Sequence, residues 1–208
     1  MAALRRAKGG GADITAAASL PHIVFSENDI HDYRTFYKVF PPLRAEADRQ
    51  ALIEGLKDGT IDCIVSSHRA RNEDSKRQPY EAAAAGALGV ETLLSGALKL
   101  VESGALTLPQ LIRKMTLNPA QRLAVTRPDP FAALGRLSAG AAADLIVFDD
   151  GASWQLDRRW LQSKSKNSPF DKASMRGLVT RTVVAGATVH LAEPEPVTPI
   201  GAATEVLA

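Results

Sequence analysis

Residues 61–65 constrain the fold more than any other part of this chain. They read Ile-Asp-Cys-Ile-Val, and a mostly apolar run with one polar residue is typical of a parallel strand that is covered on both faces. Ser66 and Ser67 follow directly, and a long polar loop extends over residues 68–78. We therefore expect an α/β domain in which a polar loop follows the carboxyl end of this strand.

Strand and helix patterns alternate in the surrounding segments. Short strands are predicted at residues 13–18 and 36–40, and two prolines end the second one. The apolar spacing predicts helices at residues 43–57 and 89–103. A third helix is predicted after Thr107, which would cap it, and a short fourth helix begins at Asn118. This order is typical of a piece of an α/β barrel, although three strands cannot close a barrel that needs about eight.

The strand patterns after Pro128 are of the antiparallel kind. A strand is predicted at residues 143–149, and a hairpin joins 177–184 to 187–191 through the dipeptide Ala-Gly. These strands predict a small β subdomain that packs beside the barrel piece.

The patterns divide the chain into three parts. Residues 1–128 are assigned to the barrel piece and 129–192 to the β subdomain, while the proline-containing tail at 193–208 is expected to be disordered. Basic residues at positions 5, 6 and 8 precede three glycines. This pattern predicts the last turns of a helix, which the glycines end. We expect that a domain opening in this way has lost what came before it.

The composition excludes several classes of function. A net charge of +2 gives no electrostatic reason to bind nucleic acid or an anionic membrane, and a content of only 5% aromatic residues argues against a base-stacking surface. The sequence contains no apolar run of about 18 residues, so no membrane span is predicted. Cys63 is the single cysteine, so an intrachain disulfide is excluded and a reducing cytoplasm fits. Because Cys63 lies in an apolar strand, we expect a packed thiol rather than a nucleophile.

Many short segments, in order over roughly residues 4 to 192, resemble the dihydroorotases of the cyclic amidohydrolase superfamily. These segments are residues 41–44, 51–64, 89–92, 118–120, 135–137, 143–149, 165–170 and 177–183. The resemblance implies strands six to eight of a (β/α)₈ barrel and the C-terminal part of a flanking β-sandwich. Hydantoinases and allantoinases share the segment 166–170, so ancestry among these relatives stays open.

The resemblance also assigns residues to the family's chemical positions. His22 stands where the family has a zinc-ligand histidine at the end of strand six. The chain has four histidines in all and no counterpart of the family's His-x-His pair, whereas a zinc site needs at least three protein ligands. His22 is therefore interpreted as the remnant of an ancestral zinc ligand. In this interpretation it is a histidine at the end of a strand whose hydrogen bonds are made within the protein.

The last-strand motif of the family, Thr-Asp-His-Ala-Pro-His, is altered. Ser67 occupies the position of the aspartate that binds metal and shuttles the proton, and His68 is retained. Arg71 replaces the second histidine, which helps to hold the substrate carboxylate, so Arg71 and His68 are the candidate substrate-binding residues. Phe40 stands where an asparagine usually contacts substrate. No catalytic residue is assigned.

The leading interpretation is a non-catalytic, cytoplasmic, dihydroorotase-like chain of pyrimidine biosynthesis that needs no cofactor. By resemblance its partner would be aspartate transcarbamoylase, which it would support as a scaffold subunit, or it would self-associate. One alternative is an active zinc-dependent enzyme for carbamoyl aspartate and dihydroorotate, completed by another chain. The other is a truncated product without a role, because a half barrel leaves strand edges unpaired.

Overall fold

The computed structural model describes residues 1–131 and 133–192. The helices and strands, in chain order, are α1 (Ala2–Gly9), β1 (Ala17–Ser19), α2 (Leu20–Val24), α3 (Glu46–Lys57), β2 (Cys63–Val65), α4 (Glu73–Lys76), α5 (Leu93–Glu102), α6 (Leu108–Met115), α7 (Leu117–Thr126), α8 (Pro128–Phe131), β3 (Leu145–Gln155), β4 (Ser174–Val184) and β5 (Ala187–Leu191). The result is a mixed α/β fold. The predicted disordered tail, 193–208, lies outside the described residues.

Strands β1 and β2 pair in parallel, with Ala17 opposite Cys63 and Ser19 opposite Val65. Both strands are shorter than the sequence patterns at 13–18 and 61–65. The side chains of Ala18, Cys63 and Ile64 are buried, which agrees with a strand pair covered on both faces.

The prediction of a third strand at 36–40 is wrong. Thr35–Tyr37 forms a 3₁₀ turn instead, in which the amide of Tyr37 donates to the Arg34 carbonyl and the amide of Lys38 to the Thr35 carbonyl. Val39 packs with Leu43 and Ala87 in a small separate cluster. Val39 is thus buried by contacts outside the sheet while Phe40 stays 75% exposed, and the parallel sheet of the described residues has two strands rather than three.

The predicted helices form with shifted ends. The helix expected at 43–57 begins only at Glu46, because Leu43 is buried in the small cluster and the two preceding prolines favour an extended chain. The helix expected at 89–103 begins at Leu93. The cap at Thr107 is confirmed as a capping box with Gln110.

The C-terminal strands form an antiparallel sheet in the order β3-β4-β5, and the predicted hairpin is confirmed. Its turn residues, Ala185 and Gly186, have φ of 48° and 81°. Ser95 Oγ on α5 donates to the Gly177 carbonyl of β4 at 2.7 Å. One hydrophobic cluster contains residues of β1, α3, α5 and β4, so this sheet shares a core with the parallel strands. The division at residue 128 stays a prediction.

Among the described residues, no helix combines the length and the apolar character needed to cross a membrane.

Candidate functional site

The carboxyl ends of β1 and β2 form the edge at which the candidate residues gather. Because Ser19 pairs with Val65, the residues that follow each strand emerge side by side. Helix α2 starts immediately after β1, with a proline in its first turn, and places His22 there. Ser67 follows β2 by two residues. The structure thus brings His22 and Ser67 to the same edge of the sheet.

Both ring nitrogens of His22 are hydrogen-bonded inside the protein. Nε2 lies 2.8 Å from the carbonyl oxygen of Pro41, and Nδ1 contacts the hydroxyl of Ser19. A carbonyl oxygen can only accept, so Nε2 carries the proton and donates it. In the neutral ring, Nδ1 then accepts from the Ser19 hydroxyl. In this conformation His22 therefore directs no unused lone pair toward a metal ion.

Ser67 and His68 lie exposed in the loop after β2. Ser67 has φ of 50°, in the left-handed region that few residues other than glycine adopt. His68 Nδ1 accepts from the amides of Gly89 and Val90, each at 3.3 Å. Nδ1 of His68 is thus an acceptor, and the proton of the neutral ring sits on Nε2. His68 fastens this loop to the loop that precedes α5.

Arg71 and Asn167 connect the same loops. Arg71 Nε donates to the Ala85 carbonyl at 2.8 Å, and its amide donates to Asn167 Oδ1 at 3.3 Å. The buried Asn167 also donates from Nδ2 to the Gly86 carbonyl at 3.1 Å. Asn167 therefore connects the chain near Arg71 to the chain near Gly86, at the two ends of the segment between them. Asn167 belongs to the segment 165–170, which resembles dihydroorotases, but its sequence context predicted no role for it.

Cys63 is a packed thiol, as expected. Its side chain belongs to the buried core of the chain. Burial, followed by the nearby Asp62 carboxylate, raises the pKa of Cys63, so the nucleophilic thiolate is disfavoured.

Lys76 is a buried cation that the sequence patterns did not reveal. It is 4% exposed, and its Nζ donates to the carbonyls of Thr35 at 2.9 Å and Ala84 at 2.8 Å. Burial, and then the positive charges of Arg71 and Lys38, lower the pKa of Lys76 to about 8. The sequence places this lysine in a polar loop, and only the fold encloses it.

The residues present do not fit a zinc ion. A zinc site takes at least three protein ligands, and the described ranges, 1–131 and 133–192, contain no group of three His, Cys, Asp or Glu side chains that could hold a metal. His22 is engaged on both nitrogens, and Ser67 offers a neutral hydroxyl where a carboxylate is needed.

Comparisons with known proteins agree with this arrangement of strands and loops. A sequence profile described as "Amidohydrolase family" matches residues 7–189. The chain belongs to the amidohydrolase family. The chain is similar to dihydroorotases: it is 38% identical over 189 residues to the dihydroorotase of Ehrlichia canis and 39% identical over 188 residues to that of Wolbachia sp. subsp. Drosophila simulans.

The match to these relatives covers nearly all of this chain but a minority of theirs. The alignments include 91% and 90% of this amidohydrolase chain, and 41% of each dihydroorotase. Among solved structures, L-hydantoinase from Arthrobacter aurescens is similar, with a TM-score of 0.82 and 29% identity over 90% of this chain and 41% of the hydantoinase. The chain thus spans about two fifths of the length of the relatives it matches.

Proposed function

We propose that this chain is a dihydroorotase-like member of the amidohydrolase family that acts in pyrimidine biosynthesis without catalysing the reaction itself. In this proposal β1 and β2 belong to a (β/α)₈ barrel over residues 1–128, and β3 to β5 belong to a flanking sandwich over 129–192. The observation that carries the proposal is the serine at position 67, directly after β2.

Ser67 cannot replace the carboxylate that transfers a proton in the dihydroorotase reaction. Reversible cyclisation of carbamoyl aspartate to dihydroorotate needs a group that moves a proton to or from the reacting amide. A carboxylate at this position could do so near neutral pH, whereas a serine hydroxyl titrates far too high. Loss of a positioned acid–base group typically costs about 10²–10⁴-fold in rate. His22 offers no replacement, because both of its nitrogens are hydrogen-bonded.

The partner in this proposal is aspartate transcarbamoylase, which the chain would support as a cytoplasmic scaffold subunit. Exposed apolar side chains support an associating role. Val189 and Leu191 on the outer strand β5 are 62% and 59% exposed, and Val65 at the end of β2 is 42% exposed. Apolar surface of this kind, beside unpaired strand edges, favours contact with another protein.

The test uses the chain purified without an affinity tag. Dihydroorotate hydrolysis and carbamoyl aspartate cyclisation are measured with and without added zinc, beside an active dihydroorotase. The transcarbamoylase of the same organism is then co-expressed, and complex formation is followed by size-exclusion chromatography and light scattering. We expect background turnover and a stable complex. Zinc-dependent turnover would overturn the non-catalytic assignment, and separate elution of the two proteins would overturn the scaffold role.

A second candidate function is an active enzyme assembled from two chains. It is favoured because this chain matches only 41% of the length of each dihydroorotase. In it, another chain supplies the remaining ligands and completes an active zinc-dependent amidohydrolase. The genomic sequence directly upstream distinguishes the two. An in-frame His-x-His half, together with turnover when both halves are co-expressed, would favour the completed enzyme over the scaffold.

A further inference from the structure

A cavity of about 270 Å³ opens beside Arg71, between helix α4 and the segment at 164–166. Ten residues line it, and five of them carry positive charge: Arg71, Lys76, Arg158, Lys164 and Lys166. Glu73 is the single carboxylate among the lining residues. Its Oε1 already pairs with Arg77 at 2.8 Å. The cavity wall therefore carries a large excess of positive charge on a chain whose net charge is only +2.

Several of these cations are held in place by the protein. Arg71 Nε is fixed by its hydrogen bond to the Ala85 carbonyl, and Lys166 Nζ donates to the Leu161 carbonyl. The guanidinium carbon of Arg158 lies 5.4 Å from the centre of the Phe36 ring, a distance at which the ring attracts a cation. The positions of these charges are thus largely set before any ligand arrives, which lowers the entropic cost of binding.

Within the part of the chain that the structure describes, most of this charge has no carboxylate partner. Arg71, Lys76, Lys164 and Lys166 form no salt bridge there. Arg158 approaches Asp171, with Nε and Oδ2 3.7 Å apart, but Asp171 also pairs with Arg34. Like charges gathered in a concave site repel one another and raise the local concentration of anions. An anion in the cavity would remove this repulsion.

We propose that this cavity binds a small polyanion, a molecule with two or more phosphate or carboxylate groups. Guanidinium groups suit such a ligand because they bind phosphate and carboxylate oxygens in pairs. The volume admits a ligand of about the size of pyrophosphate or citrate, below the usual range for drug-sized molecules. The site shares Arg71 with the candidate substrate-binding residues, but anion binding there needs neither turnover nor a transcarbamoylase, so it can be tested independently of the proposed function.

The experiment compares two charge-reversal variants. Lys164 is exposed and makes no hydrogen bond within the described residues, so Lys164→Glu should fold normally while it alters the cavity. Arg122→Glu is the matched control, because Arg122 is also exposed but lies on α7 and does not line the cavity. Both substitutions change the net charge by the same amount. Binding of pyrophosphate and of citrate is measured by calorimetry at a fixed salt concentration of about 0.15 M.

We expect Lys164→Glu to weaken binding by at least about tenfold and Arg122→Glu to change it by less than about twofold. Binding of pyrophosphate alone would identify a phosphorylated ligand, binding of citrate alone a polycarboxylate, and binding of both a general polyanion site. A ligand that binds should also raise the melting temperature of the wild-type chain. Equal weakening in the two variants, or no binding of either probe at millimolar concentration, would overturn the proposal.

Discussion

A Cβ atom placed on Gly89 would lie 2.3 Å from the carbonyl oxygen of Ser66. The two loops that carry these residues therefore meet backbone to backbone, at a distance that only glycine permits. The amide of Gly89 also donates to Nδ1 of His68. Position 89 thus sets how closely the loop after β2 approaches the start of α5, and with it the positions of Ser67 and His68.

We expect Gly89→Ala to destabilise the chain by about 1–3 kcal/mol, because the backbone must move to admit the methyl group. Urea denaturation followed by circular dichroism measures the change. Gly9→Ala is the matched control, since a Cβ at Gly9 meets nothing within 4 Å and alanine favours a helix. An unchanged midpoint for Gly89→Ala would show that the contact between the two loops is easily relaxed.

The sequence predicted those elements whose local pattern and tertiary packing agree. The apolar run around Cys63, the capping box at Thr107 and the turn at Ala185 were all located correctly, because each is specified by residues adjacent in the chain. The segment 36–40 is likewise a mostly apolar run with one polar residue, yet it forms a turn. Its partners, Phe25 and Ala87, are distant in sequence, and no local pattern reports them.

The candidate site shows the same division. The identities of His22 and Ser67 were evident from the sequence, and so was the absence of a carboxylate at position 67. The hydrogen bonds of His22 to Ser19 and Pro41 depend on how the chain returns past α2. The burial of Lys76 likewise depends on the carbonyls of Thr35 and Ala84, which the fold brings to its ammonium group. The sequence shows only a lysine in a polar segment, so it did not indicate that this lysine is buried.

Lys76 should make stability depend on pH. Its pKa is about 8 in the folded chain and about 10.4 in an unfolded one. Between these values the unfolded chain binds a proton that the folded chain has released, so the free energy of unfolding rises with pH in this window. The rise from this residue is at most about 3 kcal/mol.

Lys76→Met should remove that rise, which chemical denaturation at several pH values between about 8 and 10.4 would measure. Lys164→Met serves as the control, because Lys164 is exposed and its removal should leave the pH dependence unchanged. The comparison of slopes separates the titration of Lys76 from the loss of its hydrogen bonds, which shifts stability at every pH. A variant with the wild-type slope would contradict this assignment.

Ser67→Asp alone should not produce dihydroorotase activity. A recovered carboxylate cannot act without the ligands it would serve, since the effects of residues that work as a unit are strongly non-additive. The substitution should fold, because aspartate tolerates the left-handed conformation found at position 67, where φ is 50°. Turnover of dihydroorotate is measured with added zinc, with Ser67→Asn as the uncharged control. Zinc-dependent turnover specific to the aspartate variant would contradict the prediction.

The chain should associate rather than remain a stable monomer. The parallel sheet has two strands among the described residues, so each keeps one unpaired edge, a template for contact with another chain. On the second sheet Ile146, Val184, Val189 and Leu191 are between 46% and 62% exposed. Removal of such side chains from water favours association, so partners that cover this surface should bind the folded form and raise its melting temperature.

Light scattering over a range of protein concentrations should therefore detect dimers or larger species. Replacing both Val189 and Leu191 with threonine should reduce their amount, because threonine keeps the strand preference while it lowers the apolar area. Val125→Thr provides a control on α7, where Val125 is 66% exposed but distant in the chain from this sheet. If the wild-type chain is a monodisperse monomer with a sharp melt that does not depend on concentration, the exposed strands do not drive association, and the scaffold role loses its physical support.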